Sequence, residues 1–111
     1  MCIFCQIANK EIPTEMLYED ATIMAFRDIK PSAPVHVLVV PKKHIVSLAQ
    51  IDSGDKELLA NIFYRVKALA QELRIAESGY KTVINTGKDG GQIIEHLHVH
   101  LLGGGKIISQ I

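Results

Sequence analysis

Ile93-Ile94-Glu95-His96-Leu97-His98-Val99-His100-Leu101-Leu102 alternates apolar side chains with imidazoles. On a strand, where side chains repeat every two residues, this order puts His96, His98 and His100 on one face and Leu97, Val99 and Leu101 on the other. One face packs and the other is free for chemistry. Successive histidines would have Cα atoms about 6.6 Å apart. Two chemistries suit such a row. It can be a metal site with an open position for water, or it can hold one nucleophilic imidazole whose neighbours orient it and bind an anion.

Immediately upstream, Asn85-Thr86-Gly87-Lys88-Asp89-Gly90-Gly91-Gln92 runs from the end of an apolar segment into a glycine-rich turn. Adjacent glycines let backbone N–H groups approach and cradle a phosphate oxygen. The stretch has no Gly-Lys-Ser/Thr and is not a Walker A loop. Beside three imidazoles, it suggests a phosphate ligand.

Further out the pattern changes period. From Asp52 onward Leu58, Leu59, Ile62, Phe63, Val66, Leu69, Ala70 and Leu73 recur at steps of three and four, which predicts one long amphipathic helix. Asp52 or Ser53 caps its start, Asp55 and Glu57 suit its positive end, and Gly79 ends it. Arg65, Lys67 and Glu72 fall on the wetter side. Strand-length apolar segments are expected at 16–18, 22–27, 35–40, 80–85 and 94–102, separated by turn residues, and a short first helix around 5–9 ends before Pro13. Strands before and after one long helix, with hairpin-length turns, predict an α+β fold with a mainly antiparallel sheet.

The 111 residues fit one domain, 1–111, and the 48% hydrophobic against 22% charged composition predicts a folded chain. Twelve basic and twelve acidic side chains leave no net charge, which argues against nucleic acid as a partner. No apolar run is long enough for a membrane helix, and the N-terminal residues lack the basic region of a signal peptide, so a cytoplasmic protein without a membrane partner is expected. Cys2 and Cys5 would close too small a ring for a useful disulfide, and in a reducing compartment a Cys-x-x-Cys pair points to metal or redox chemistry. A redox role lacks the βαβ context that such motifs need.

The stretch from Gly90 to Gly104 resembles the His-x-His-x-His signature of the histidine triad family, and Cys2-Ile3-Phe4-Cys5, Glu11-Ile12-Pro13, Ala25-Phe26-Arg27-Asp28-Ile29, Ala33-Pro34-Val35-His36 and Val40-Pro41-Lys42-Lys43-His44-Ile45 resemble its N-terminal half. Gly103-Gly104 after the triad is similar to the Hint branch of nucleoside phosphoramidases. The resemblance implies a homodimer whose long helices and sheets meet across a two-fold axis, with the C-terminal tail near the partner's active site.

It also implies hydrolysis of purine nucleoside 5′-phosphoramidates through a nucleotidyl intermediate on His98. His100 would donate to a phosphate oxygen or the leaving atom, and His36 would orient the trio, of which His96 is the first member. Asn85, Gly91, Gln92 and Ile93 would lie near the phosphate and leaving group, although Ile93 stands where many relatives carry a polar residue. Asp28 would accept the ribose hydroxyls. Ile3, Phe4, Ile7, Ile12, Phe26, Ile29 and Leu38 would form an apolar slot for the purine of an AMP-like nucleotide, with Arg27 beside it.

Cys2, Cys5, His44 and His96 supply enough donors for a closed Cys2His2 zinc site. Several bacterial-type members of the family hold zinc with the corresponding residues, and the resemblance implies a structural zinc here, with no organic cofactor. Two other functions remain open: a dinucleoside polyphosphate hydrolase using the same His98, and a non-catalytic purine nucleotide-binding protein.

Overall fold

The computed structural model describes residues 2–106. Two α-helices, α1 (Ile3–Ala8) and α2 (Lys56–Glu72), accompany five strands: β1 (Tyr18–Glu19), β2 (Ile23–Arg27), β3 (Val35–Pro41), β4 (Tyr80–Val83) and β5 (Val99–Gly103). The strands form one sheet in the order β1-β2-β3-β5-β4, and every pair is antiparallel. The expected α+β class with one long helix is what the chain forms. Residues 107–111, the expected tail near a partner's active site, lie outside the described residues.

β3 sits at the centre, and all but one of its residues are buried, because both faces of the sheet are covered. The alternation of side chains sorts two layers. Ile23 and Ala25 of β2, Val37 and Val39 of β3, and Val99 and Leu101 of β5 pack against Ile62, Val66, Leu69 and Ala70 of α2. Met24 and Phe26, with Leu38 and Val40, point the other way and pack under Phe4 and Ile7 of α1. His36, His98 and His100 share the parity of this second layer, and the pairing of Leu38 with His100 brings β3 and β5 into register there.

The start of α2 differs from the expectation: α2 begins at Lys56 with Asp55 as N-cap and no side-chain capping bond, and Asp52 caps the 3-10 turn ahead of it instead. Asp52 accepts the N–H of Gly54 at 2.8 Å, and the backbone N–H of Asp52 returns to Oδ2 of Asp55 at 3.1 Å, across a 3-10 turn at Ser53–Asp55. Lys43 Nζ, 2.7 Å from Oδ1 of the buried Asp55, ties this cap to the loop after β3. This partner holds the Asp55 carboxyl below its usual range.

The end of α2 differs as well. The helix ends at Glu72 with Leu73 as its C-cap, well before Gly79, because Arg74 adopts a left-handed φ of 61°. Arg74 N–H then donates to Gln71 O at 3.1 Å and Ile75 N–H to Ala70 O at 3.0 Å. These paired bonds are a Schellman ending, normally built on glycine. Burial of Ile75 under α2 fixes the turn in its absence. Phe63, expected on the packed face, is 46% exposed, and its neighbour Tyr64 is 66% exposed.

The histidine segment also departs from the expectation of a strand over 94–102. Only Val99–Gly103 pairs in the sheet. Residues 94–96 form a bend, where His96 N–H donates to Ile94 O at 2.9 Å and Leu97 N–H donates to Ile45 O at 2.7 Å. Those bonds divert the chain from the ladder and turn His96 toward the N-terminal cysteines. Among the described residues no helix is long and apolar enough to cross a membrane.

Candidate active site and metal centre

The site is built where β3 and β5 lie side by side. His36, on β3, is buried, and its Nδ1 accepts the backbone N–H of Ser32 at 2.9 Å. A neutral imidazole carries one proton, so that proton is on Nε2. Nε2 stands 2.9 Å from Nδ1 of His100 and 3.5 Å from Oδ2 of Asp28. His36 therefore donates to His100, which leaves the His100 proton on its own Nε2. Burial lowers the pKa of His36, against the pull of the Asp28 carboxylate. Burial, with His98 and His36 nearby, lowers that of His100 to about 4, so both rings are neutral at pH 7.

His98 is set the opposite way. Its Nδ1 lies 2.7 Å from the backbone carbonyl of His96, an acceptor, so Nδ1 holds the proton and Nε2 holds a lone pair. The ring is buried between Phe4, at 5.3 Å between centroids, and His100, at 5.0 Å. A ring with its lone pair on Nε2, beside a ring that donates through Nε2, is the pairing a nucleophile and a phosphate-oxygen donor require.

The third imidazole belongs to a second cluster. His96 is fully buried, and its Nε2 donates to Pro41 O at 2.7 Å, which leaves the lone pair on Nδ1. Burial lowers the pKa of His96 and the Pro41 bond opposes that shift. Nδ1 of His96 stands 3.3 Å from Cys2 Sγ, 3.7 Å from Cys5 Sγ and 3.1 Å from His44 Nδ1, and Cys5 Sγ stands 3.2 Å from His44 Nδ1. All four donor atoms lie within 4.8 Å of one another.

A tetrahedral zinc with two sulfurs and two nitrogens has ligand-to-ligand edges of about 3.3 to 3.8 Å, so the donors already stand at nearly the required spacing. The bond from a ligand histidine to a backbone carbonyl is the usual outer support of such a site. Burial and the neighbouring Cys2 raise the pKa of the Cys5 thiol, a penalty that a bound cation removes. These residues fit zinc.

Asp28, His36 and His100 also lie close enough to hold a cation. They do not fit one. The Ser32 N–H occupies the lone pair of His36 at Nδ1, and the proton at Nε2 faces the other two donors. This cluster is arranged to fix the His100 tautomer.

The other expected residues divide into groups. Phe4, Ile7, Phe26 and Leu38 form the buried apolar layer beside the histidines, with Ile12 packed partly against it. Ile3 is half-exposed at the start of α1, Arg27 is exposed at the end of β2, and Ile29 is 92% exposed in the loop that follows. Asp28 accepts the Lys30 N–H through Oδ1 and keeps Oδ2 toward His36.

The glycine-rich turn is tightly built. A Cβ at Gly90 would meet the Thr86 carbonyl oxygen at 2.3 Å, and Gly91 takes a φ of 80°. Asn85 Nδ2 donates to Gly90 O, Gly87 N–H donates to Gln92 Oε1, and Gln92 Nε2 donates to Val46 O and Ile94 O. The Gln92 amide is thus committed to the loop. Ile93 projects beside it, 92% exposed.

Three determinants of the site have no signal in the sequence: the Ser32 N–H, the Pro41 carbonyl and the His96 carbonyl, each of which sets a tautomer. All are backbone groups that nearly any residue would supply.

The fold that carries this site has counterparts in known proteins. A HIT family hydrolase from Legionella pneumophila Philadelphia 1 superposes with a TM-score of 0.93 at 50% identity, over 96% of this chain and 95% of its own. A histidine triad nucleotide-binding protein from Candida albicans superposes with a TM-score of 0.83 at 34% identity, over 100% and 86%. A zinc-bound histidine triad family protein from Mycobacterium smegmatis gives 0.78 at 32%, over 92% and 73%. An uncharacterized HIT-like protein of Synechococcus elongatus is 49% identical over 102 residues, covering 92% of this chain and 89% of the relative. The family model for the HIT domain matches residues 9–107, from the loop after α1 to beyond β5, and on that extent the chain belongs to the HIT domain family.

Proposed function

We propose that this protein hydrolyses purine nucleoside 5′-phosphoramidates through a nucleotidyl intermediate on His98. The observation that carries this reading is the bond from His98 Nδ1 to the His96 carbonyl, which leaves Nε2 unprotonated and free to attack. The hydrolase and nucleotide-binding descriptions of the Legionella and Candida neighbours support the class.

The steps follow from the tautomers. His98 Nε2 bonds to the α-phosphorus as the P–N bond breaks. The departing amine takes a proton from solvent, while the Nε2–H of His100 hydrogen-bonds a phosphate oxygen and His36 holds His100 in the tautomer that presents it. Water then attacks phosphorus, gives up a proton to solvent and releases His98, leaving the nucleoside monophosphate. Positioning and neutralisation of phosphate charge supply most of the acceleration, as in other phosphoryl transfers. Asp28, half-buried at the edge of the layer, would take the ribose hydroxyls, and the apolar layer under α1 would face the purine.

The Cys2, Cys5, His44 and His96 pocket holds zinc in this reading. The metal would supply structural cross-linking of α1 to the sheet, apart from the chemical steps. Exposed Phe63 and Tyr64 on α2 and Tyr80 on the edge strand β4 are apolar surface suited to a second copy of the chain.

Rapid-quench mass spectrometry tests the mechanism. A nucleotide adduct on the peptide carrying 96–100 is expected with adenosine 5′-phosphoramidate, and its absence while turnover proceeds would sink the covalent route. Turnover of a dinucleoside tetraphosphate in preference to the phosphoramidate would move the assignment to the polyphosphate hydrolases. Binding of adenosine monophosphate with no turnover of either would leave a nucleotide-binding protein.

A further inference from the structure

Phe4 meets both His96 of the metal pocket and His98 edge-on. Its ring centroid lies 5.6 Å from His96 at 84° and 5.3 Å from His98 at 77°. It also lies 5.7 Å from Phe26 at 64°, which braces its far side. Within the triad, the His98 ring has one hydrogen bond, to the His96 carbonyl, and two ring contacts, to His100 on one side and Phe4 on another. Phe4 and His100 bracket the imidazole that the His96 carbonyl anchors through Nδ1.

Phe4 is carried by a helix that cannot hold itself in place. α1 has six residues, its N-cap Cys2 makes no side-chain capping bond, and it has no acidic residue in its first turn. A helix this short is unstable in water on its own. It is anchored by the burial of Phe4 and Ile7 and by the two cysteines on either side of Phe4 in sequence, which are half of the metal pocket.

We propose that Phe4 is a positioning residue for His98, and that a cation in the Cys2, Cys5, His44 and His96 pocket holds Phe4 there, so that metal loading governs how well the nucleophile is aligned. The inference rests on the reading of His98 as the nucleophile and of the pocket as a metal site. None of the four donors of the pocket belongs to His98. The cation acts by fixing both ends of a short route: His96, whose carbonyl receives the His98 proton, and α1, whose Phe4 closes the ring from the side.

The test compares full-length wild type and Phe4→Leu, each zinc-loaded, with wild type stripped by chelator and then reloaded with zinc sulfate. Ring 15N spectra report the His98 tautomer, single-turnover quench reports adduct formation from adenosine 5′-phosphoramidate, and equilibrium binding reports affinity for adenosine monophosphate. Zinc-loaded wild type should show one tautomer, protonated at Nδ1. Phe4→Leu should show a mixture and form the adduct about tenfold or more slowly, since small misplacements of a reacting group have effects of that size. Because Phe4 also lines the apolar layer that faces the purine, the variant's nucleotide affinity should fall too, but by less than its adduct rate. Stripped wild type should behave like Phe4→Leu and recover with zinc, whereas the variant should not improve further.

A single His98 tautomer and unchanged adduct rate in Phe4→Leu would overturn the proposal. So would a loss of nucleotide affinity as large as the loss of rate, which would make Phe4 no more than a base contact. Should stripped wild type lose its far-UV circular dichroism, the zinc-loaded Phe4→Leu arm still decides the role of Phe4, and a return of the single tautomer on refolding with zinc decides that of the metal. A zinc-loaded wild type that turns over without an adduct would remove the nucleophile reading, while the spectra would still report the coupling.

Discussion

The two histidine clusters stand at opposite ends of one five-residue stretch and use the same side chain for opposite purposes. At His96, Nε2 donates to the Pro41 carbonyl and the lone pair on Nδ1 faces two sulfurs and another imidazole. At His36, the lone pair on Nδ1 is taken by the Ser32 N–H, and the proton on Nε2 faces His100 and Asp28. Both clusters contain nearby donor atoms, yet only the first can offer a lone pair from every ring. What a histidine does is decided by which backbone group meets its other nitrogen.

The comparison breaks most severely at His98, which belongs to neither arrangement and has the free Nε2. His98→Ala should reduce phosphoramidate hydrolysis by roughly a thousandfold or more, the scale on which removal of a nucleophile acts. Steady-state assays with a fluorogenic adenosine phosphoramidate check this, and activity within tenfold of wild type would contradict the assignment.

Removing the second cluster's orienting member should be milder. His36→Gln keeps a polar group but loses the bond that orients His100, and kcat should fall roughly ten- to a hundredfold with little change in KM, since a group that only orients the phosphate donor acts mainly in the transition state. A rise in KM at constant kcat would instead make His36 a binding residue.

The first cluster should answer to metal. Zinc bound to the native state alone raises stability by mass action, so chelation should lower the melting temperature of wild type by several degrees. His44→Ala, with one ligand missing, should start lower and respond less. Equal responses in the two proteins, measured by calorimetry with and without chelator, would place the metal elsewhere.

The smallest effect separates the clusters by pH. The native pKa of His100 is pushed down to about 4, whereas the unfolded chain titrates near its ordinary value. Between those values the unfolded state binds more protons, so stability from this group is full above about pH 6.5 and declines as pH falls toward 4. Denaturant midpoints of wild type should fall over that window, and His100→Gln should fall less.

Much of this was legible from residue order. The steps of three and four from Leu58 to Leu73 gave the α2 layer, and strand parity set His36, His98 and His100 on one face because β2, β3 and β5 alternate cleanly. The chain left the predicted pattern where backbone bonds outweigh side-chain period. His96 is turned out of β5 by the Leu97 bond to Ile45, and α2 ends on Arg74 although Gly79 is the better-suited residue. Tautomers were invisible for the same reason: Ser32, Pro41 and His96 contribute main-chain atoms, and sequence patterns describe side chains.

The left-handed Arg74 also marks unused headroom in this chain. A side chain there carries steric strain of roughly 1–2 kcal/mol that a glycine would not, and the residue closes α2 without entering either histidine cluster. Engineering for robustness thus has a starting point independent of the chemistry, and a hardened scaffold of that kind would let the metal pocket be dismantled ligand by ligand while the rest of the chain stays folded.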